Sequence, residues 1–160
     1  MASALAAFLA QRPLLLSFEQ ASTLPVTWST THVAVERARL QSGCLMVVHA
    51  AAGGVGLEAV EYAHWLFCSS VMGSAGRAHK HAQLRSRGIE SACSSRDGGA
   101  FAVGAARVRN AARCHAVLNS LSLGIIACSL ALLGERGSFE EIGKRGVWSQ
   151  ERRVAAAACT

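Results

Sequence analysis

A run of small residues, HAAAGGVG at 49–56, has the composition and spacing of a phosphate-binding loop. It follows an apolar run typical of a buried strand, CLMVVH at 44–49, and precedes apolar residues at helical spacing. A strand, loop and helix in this order are what the dinucleotide-binding fingerprint G-x-G-x-x-G requires. Ala51, Gly53 and Gly56 occupy its three glycine positions. The alternative is a tight strand-to-helix turn that binds no ligand.

The glycines in this loop have distinct expected roles. Gly53 would allow backbone amides to approach a pyrophosphate, and Gly56 would allow the helix to pack closely against the strand. The amino terminus of the helix would add partial positive charge toward the phosphates. The cofactor-binding residues predicted in this loop are Ala52, Gly53, Gly54, Val55 and Gly56.

Basic residues follow the second predicted strand, where the ribose of a dinucleotide would lie. NAD enzymes usually have Asp or Glu about 20 residues after the glycine loop, which binds the ribose hydroxyls. Residues 72–80 read MGSAGRAHK, without a carboxylate and with Arg77 and Lys80 within one helical turn. This pair would attract a 2′-phosphate, so the sequence favours NADPH. The alternative is an ordinary solvated helix start, because Lys and Arg are common on surfaces.

Histidine and cysteine residues are weaker candidates for chemistry. His49 directly follows the buried strand, where a hydrogen-bonded structural histidine is the commoner outcome. His32 is expected to pack on a helix face. The six cysteines lack zinc-site spacing, so we expect reduced thiols and no bound metal.

The composition fits one compact domain of 160 residues, because hydrophobic residues make up 51% and charged residues 16%. The net charge of +6 suits an anionic ligand. The basic residues are largely scattered and aromatic residues make up only 6%, so we do not expect nucleic-acid binding.

Polar residues interrupt the apolar stretch 116–133, and the first 16 residues lack a basic start. We therefore expect no membrane span, no signal peptide and an intracellular, cytoplasmic location.

Strands and helices are predicted to alternate along the chain. Strands are expected at 44–49, 68–73, 89–94, 115–119 and 138–142. Helices are expected at 17–38, 56–66, 78–87, 101–110 and 125–133, with Pro25 breaking the first and Gly134 closing the last. Alternation of this kind implies a parallel sheet with crossover helices. The predicted fold class is α/β, with a doubly wound, Rossmann-like parallel sheet.

Five motifs occur in an order that resembles one protein family. They are HAAAGGVG, SAGRAHKHAQLRSRGIE, SSR, VLNSL and FEEIGKRGVW. Their order and spacing resemble enoylreductase domains of polyketide and fatty-acid synthases, in the zinc-independent, quinone-oxidoreductase-like branch of the medium-chain reductases. The resemblance covers residues 13–151. It implies NADPH-dependent reduction of an α,β-unsaturated thioester on an acyl carrier protein, with hydride passing to the β-carbon before the α-carbon is protonated.

The resemblance also implies roles for individual residues. Lys80 and Arg96 would face the 2′-phosphate, whereas Arg77 stands where the family often has Ser. The loop that contains Asn119 and Leu121 would run beside the nicotinamide, and Thr30 falls in a segment that approaches its ring. Lys144 matches a lysine proposed in the family to protonate the enolate. The cofactor-binding residues added in this way are Thr30, Arg77, Lys80, Arg96, Asn119 and Leu121.

Several departures from the family pattern concern catalysis and folding. Family members carry an N-terminal substrate domain and a closing C-terminal segment, neither of which is matched here. Phe67 stands where Gly usually precedes the second strand, Glu140 is charged in a usually apolar strand, and Gly146 replaces a common Asp. The resemblance predicts a single truncated domain, with a linker remnant at 1–24, an NADP-binding domain at 25–150 and a truncated tail at 151–160.

Three functions remain open at this point. The chain is the cofactor half of an enoylreductase, a non-catalytic nucleotide-binding or scaffolding remnant, or an NADPH-dependent quinone or alkenal reductase. The expected partners are an acyl carrier protein or other synthase domains, an enoyl thioester substrate and, by family analogy, a second copy in a homodimer.

Overall fold

Helices and strands alternate along the chain in the computed structural model, which describes residues 4–68, 70–109, 113–122, 124–144 and 148–158. The strands are β1 (Leu45–Val48), β2 (Ser70–Ala75), β3 (Ser91–Ser94), β4 (Cys114–Asn119) and β5 (Leu133–Glu141). The helices are α1 (Phe18–Ala38), α2 (Gly54–Trp65), α3 (Ala78–Ser86), α4 (Gly98–Arg109), α5 (Ile125–Leu130) and α6 (Gln150–Ala158). A short 3-10 helix, Ala6–Phe8, precedes α1.

Strand β1 lies at the centre of a five-stranded sheet in the order β3-β2-β1-β4-β5. All four neighbouring pairs are parallel. Every residue of β1 is buried, because helices cover both faces of the sheet. The strand order is that of a doubly wound nucleotide-binding sheet, so the predicted Rossmann-like α/β fold is confirmed.

Alternate residues of β1 belong to two separate hydrophobic cores. Met46 and Val48 pack with the buried residues of α1 and α2 on one face. Leu45 and Val47 pack on the other face with Phe101 of α4 and with α5. This division follows from the two-residue period of a strand. Complete burial of each such side chain contributes about 1.5–3 kcal/mol, so β1 is fixed from both sides.

Helix α1 continues through Pro25, and the prediction of a break there is wrong. Proline lacks an N–H group, so one helical hydrogen bond is missing. Local contacts compensate: Ser17 and Gln20 form a capping box at the start of the helix. The hydroxyls of Thr23 and Thr27 donate to backbone carbonyls in the turns around the proline. Contacts of α1 with α2 and β5 further hold it against the domain.

The junction of α5 and β5 also differs from the sequence prediction. We expected a helix as far as Leu133, closed by Gly134, but α5 ends at Leu130 and Leu133 starts β5. Leu133 pairs with Cys114, whose N–H donates to the Leu132 carbonyl at 3.2 Å. Pairing with a neighbouring strand therefore overrides the helical pattern of the apolar residues. Helix α6 was not predicted.

The expected domain division has both its boundaries inside helices. The boundary between residues 24 and 25 falls within α1, and that between 150 and 151 falls within α6. The bounds of these helices do not show where a domain begins or ends, so the division stays a prediction. In the part of the chain that the structure describes, no helix is both long and apolar enough to cross a membrane.

Candidate functional site

A cleft of about 510 Å³ opens at the carboxyl ends of β1, β2 and β3 and beside the loop after β4. Its place follows from the strand order, because the chain runs from β1 to β2 on one side and later returns to β4 on the other. Ligands of open α/β sheets bind at such a reversal. The lining residues are Ala50, Ala52, Gly53, Ala75, Gly76, Arg77, Lys80, Ser95, Arg96 and Leu121.

The glycine loop forms one wall of this cleft. Ala50 takes a left-handed conformation with φ of 49°, and its carbonyl accepts a hydrogen bond from the Gly53 N–H at 2.8 Å. A Cβ atom on Gly56 would lie 2.5 Å from the Ala50 carbonyl oxygen and 2.6 Å from the Ala51 Cα. Only glycine therefore allows α2 to start this close to the end of β1, as the fingerprint predicts.

The amino terminus of α2 is built to receive an anion. Its N-cap, Gly53, has no side chain to cap the helix, and the first helical bond runs from the Leu57 N–H to the Gly53 carbonyl at 2.9 Å. The preceding N–H groups of the first turn, on Gly54, Val55 and Gly56, have no acceptor within the helix. These amides and the helix dipole favour a phosphate group.

Three cationic side chains line the cleft, and no Asp or Glu lies among the residues that form it. Arg77 is the N-cap of α3, Lys80 lies in the first turn of that helix, and Arg96 follows β3. The Arg96 Nε lies 2.8 Å from the position that a Cβ on Gly76 would occupy, so the absence of a side chain there allows the guanidinium to lie across the loop. The cleft thus concentrates positive charge next to the helix terminus.

Asn119 supports the cleft without lining it. Its side chain is fully buried, and its amide N–H groups donate to the Leu121 carbonyl and to Glu141 Oε2, both at 2.8 Å. Its Oδ1 accepts from the Leu121 N–H at 3.2 Å. These bonds fix the loop that carries Leu121 into the cleft. In this structure the Asn119 amide is engaged by protein groups on both sides, and its contact with a cofactor stays a prediction.

Thr30 and Lys144 are predicted site residues that do not line the cleft. Thr30 lines a separate groove of about 550 Å³ between α1 and β5. Lys144 is exposed, three residues after the end of β5. Because β5 is parallel to β4, Lys144 follows the same carboxyl edge of the sheet that carries the cleft. Gly146 lies outside the described residues.

His49 is buried and hydrogen-bonded, as we expected of a structural histidine. Its Nδ1 lies 3.0 Å from Ser74 Oγ and its Nε2 lies 2.7 Å from Ser129 Oγ. Burial lowers its pKa to about 4, so the ring is neutral at pH 7. His32 contacts the Tyr62 hydroxyl through Nδ1 at 3.1 Å, on the exposed side of α1.

No group of three or more His, Cys, Asp or Glu side chains is placed to hold a metal ion within the described ranges of the chain.

Comparison with known proteins identifies the relatives of this fold. No family model matches the chain. It is 38% identical over 136 residues to the highly reducing polyketide synthase AN6791 of Emericella nidulans, a match that covers 82% of this chain and 5% of that protein. It is 36% identical over 141 residues to the reducing polyketide synthase rdc5 of Metacordyceps chlamydosporia, covering 86% of this chain and 6% of the relative.

Solved structures narrow the likeness to one part of such a synthase. The CurK enoyl reductase superposes with a TM-score of 0.85 at 35% identity, over 93% of this chain and 44% of that chain. The nucleotide-binding subdomain of the enoylreductase domain of PpsC from Mycobacterium tuberculosis superposes with a TM-score of 0.72 at 28% identity, over 82% of this chain and 75% of that one. This chain corresponds to the nucleotide-binding half of a polyketide synthase enoyl reductase.

The chain spans only about 5% of the length of the first curated relatives that it matches. Within it, the structure gathers six of the predicted residues around one cleft: Ala52, Gly53, Arg77, Lys80, Arg96 and Leu121. Gly54, Val55 and Gly56 adjoin them in the first turn of α2.

Four residues that line the cleft were not predicted from the sequence: Ala50, Ala75, Gly76 and Ser95. Gly76 and Ser95 lie directly beside the predicted Arg77 and Arg96, so the motifs SAGRAHK and SSR already contained them. Ala50 contributes through its left-handed backbone, and no residue-type signal marks an alanine for that conformation.

Proposed function

We propose that this chain binds NADPH in the cleft and forms the cofactor-binding half of an enoyl reductase acting on α,β-unsaturated acyl thioesters. One observation carries the proposal: a glycine-rich helix start and three cations, without a lining carboxylate, share a single cleft. The fit is physical. A Cβ at Gly56 would occupy space that the loop needs, and the cations suit a phosphate with two negative charges.

The residues of the cleft would divide the cofactor between them. The first-turn amides of Gly54, Val55 and Gly56 would bind the pyrophosphate, because they lack helical acceptors. Lys80 and Arg96 would pair with the 2′-phosphate, and Arg77 would add charge at the same end. Leu121 would lie beside the nicotinamide, held in place by Asn119.

When bound, NADPH would supply the hydride that reduces the β-carbon of the substrate. The chain must then provide a proton for the α-carbon, and Lys144 is the proposed donor. An ammonium group near an enolate both stabilises the negative charge and transfers a proton. Thr30 is proposed to approach the nicotinamide side from α1. A substrate-binding partner domain, an acyl carrier protein and a homodimer belong to the same proposal.

Calorimetric titration of the chain with NADPH and NADH tests the binding step. We expect tighter binding of NADPH, and about a tenfold loss of NADPH affinity in Lys80→Ala with little change for NADH, because one charge-assisted contact is worth at least about 1.4 kcal/mol. Arg85→Ala is the matched control, since Arg85 lies exposed on the same helix and outside the cleft. Equal affinities for the two cofactors would contradict the assignment of the 2′-phosphate site.

Turnover assays with a substrate-binding half added in trans test the reaction. Faster NADPH oxidation with a crotonyl thioester than with a quinone supports the enoyl reductase, and the reverse order supports a quinone or alkenal reductase. A folded chain that binds neither cofactor would instead be a non-catalytic scaffolding remnant.

A further inference from the structure

A chain of hydrogen bonds connects the buried core to the glycine loop through His49. Its members are Ser129 on α5, His49 after β1, and Ser74 in β2, all of them at most 2% exposed. The last bond of the chain runs from the Ala50 N–H to Ser74 Oγ at 3.3 Å. This series of hydrogen bonds therefore starts on one face of the sheet and ends at the first peptide of the cofactor cleft.

The direction of these bonds follows from the number of protons available. Ser129 Oγ donates its one proton to the Ile125 carbonyl at 2.8 Å, so it accepts from the Nε2–H of His49. A neutral imidazole with Nε2 protonated has Nδ1 as an acceptor. Ser74 then donates to Nδ1 and keeps its lone pairs for the Ala50 N–H. Each buried polar atom in this arrangement has a partner, and the neutral ring is the form that burial favours.

The peptide at the end of this chain has a strained conformation. Ala50 has φ of 49°, which is unfavourable for a residue with a Cβ. Its carbonyl accepts the Gly53 N–H, and the next N–H, of Ala51, donates to the Ser74 carbonyl at 2.9 Å. Ser74 thus holds both peptides at the start of the loop, one through its hydroxyl and one through its backbone. The conformation of Ala50 decides where α2 begins.

We propose that His49 is a positioning residue for the cofactor cleft, orienting Ser74 so that Ala50 and the first turn of α2 stay in the conformation that presents their amides to a phosphate. This inference deepens the proposed binding of NADPH and rests on it. His49 is not among the residues that line the cleft, so it would not touch a bound cofactor directly. It acts through Ser74, and the expected effect is on cofactor affinity and on the order of the loop.

Two variants that each remove one hydroxyl of the hydrogen-bond chain, together with one control variant, test this role. Ser74→Ala removes the hydroxyl that joins His49 to Ala50, and Ser129→Ala removes the acceptor that sets the ring tautomer. Ile126→Ala is the matched control, because Ile126 is 1% exposed on the same helix as Ser129 and lies outside the hydrogen-bond chain. Each variant is measured for its unfolding free energy, its NADPH dissociation constant, and the hydrogen exchange of the amides of Gly54, Val55 and Gly56.

We expect Ser74→Ala to weaken NADPH binding about tenfold and to accelerate exchange at the three loop amides, in line with one lost buried hydrogen bond. Ser129→Ala should change both in the same direction by a smaller factor. Ile126→Ala should lose stability yet leave both readouts within about twofold of wild type, a margin near the uncertainty of such measurements.

Two results would overturn the role of His49. One is unchanged loop exchange in Ser74→Ala. The other is an equal change in affinity and loop exchange in Ile126→Ala, which would make the effect a consequence of stability alone. If the folded wild-type chain binds no NADPH, the proposed function fails, and the exchange measurements still decide whether His49 orders the loop.

Discussion

Gly56 is the position where one added methyl group meets the most rigid surroundings. The Cβ of Gly56→Ala would lie 2.5 Å from the Ala50 carbonyl oxygen and 2.6 Å from the Ala51 Cα, and both are backbone atoms. Since backbone cannot move as a side-chain end does, we expect a loss of about 1–3 kcal/mol in unfolding free energy. Urea denaturation measures this loss, and calorimetry should show weaker NADPH binding by the same variant.

Gly98→Ala is the matched control for that substitution. Gly98 starts α4, and a Cβ there would meet no atom within 4 Å. We expect no loss of stability, because alanine restricts the unfolded chain more than glycine does. A comparable loss in both variants would show that the close packing of Gly56 is not the cause.

Phe67 offers a substitution that should stabilise the chain. Its φ of 55° lies in the left-handed region, and its ring is 77% exposed. Its N–H donates to the His64 carbonyl and its own carbonyl accepts from Gly43, and these backbone bonds are kept when glycine or alanine replaces Phe67. Phe67→Gly should raise the unfolding free energy by about 0.5–1 kcal/mol, the strain relieved minus the entropy cost of glycine.

Phe67→Ala separates backbone strain from loss of the exposed ring, because alanine keeps the Cβ. We expect the alanine variant to be no more stable than wild type in the same urea experiment. A gain of equal size in both variants would assign the effect to the aromatic ring.

At the scale of the elements, Pro25 is the clearest conflict between local preference and the observed helix. The proline lies exposed inside α1 and removes one backbone hydrogen bond. Pro25→Ala should therefore stabilise the chain by about 1 kcal/mol or more, up to the 3 kcal/mol typical of a helix interior. Thermal unfolding followed by circular dichroism measures it. Val26→Ala, at the exposed neighbouring position, controls for helix propensity and should give a smaller gain.

Elements with a strong local pattern were predictable from sequence, whereas those decided by distant contacts were not. The apolar run of β1 and the glycine loop before α2 are local signals, and the structure has both. Leu133 has the spacing of a helix, but it pairs with Cys114 in the adjacent strand. That pairing depends on residues far apart in the sequence, which a local pattern does not record.

The same distinction between local signals and distant contacts applies to the candidate site. Residue type and spacing pointed to Gly53 and Lys80, because glycine and cations have direct physical reasons to be near phosphates, and the family resemblance pointed to Arg96; all three line the cleft. The role of Asn119 depends on Glu141, which reaches it from the end of another strand. Sequence spacing contains no information about such a bond, so this supporting role of Asn119 was not predicted.

At the scale of the whole molecule, the parallel sheet decides which residues share the cleft. Strand β1 separates two hydrophobic cores and ends at the point where the strand order reverses. Loops after four neighbouring strands, β3, β2, β1 and β4, meet at that point, so residues as distant in sequence as Gly53 and Leu121 line one cleft. Stability of the sheet and geometry of the site are therefore linked through the residues that end β1.

His49 directly follows that strand, and its burial should make the stability of the whole fold depend on pH. Its pKa is lowered by burial from 6.5 to about 4, so between these values the unfolded chain binds more protons than the folded chain. The contribution of the neutral ring is complete above about pH 6.5 and is lost as the pH falls toward 4. The loss over this range amounts to about 3 kcal/mol.

Urea unfolding of wild type and His49→Gln from pH 7.5 to pH 4.5 measures this loss. Carboxylates titrate in both proteins, so the difference between the two curves isolates His49. Glutamine does not titrate, and the unfolding free energy of the variant should fall less steeply over this range than that of wild type. The variant should be the less stable protein at pH 7.5, because it breaks the bonds to Ser74 and Ser129, and the gap should narrow in acid. Parallel curves would mean that the folded state accommodates a protonated His49 without cost.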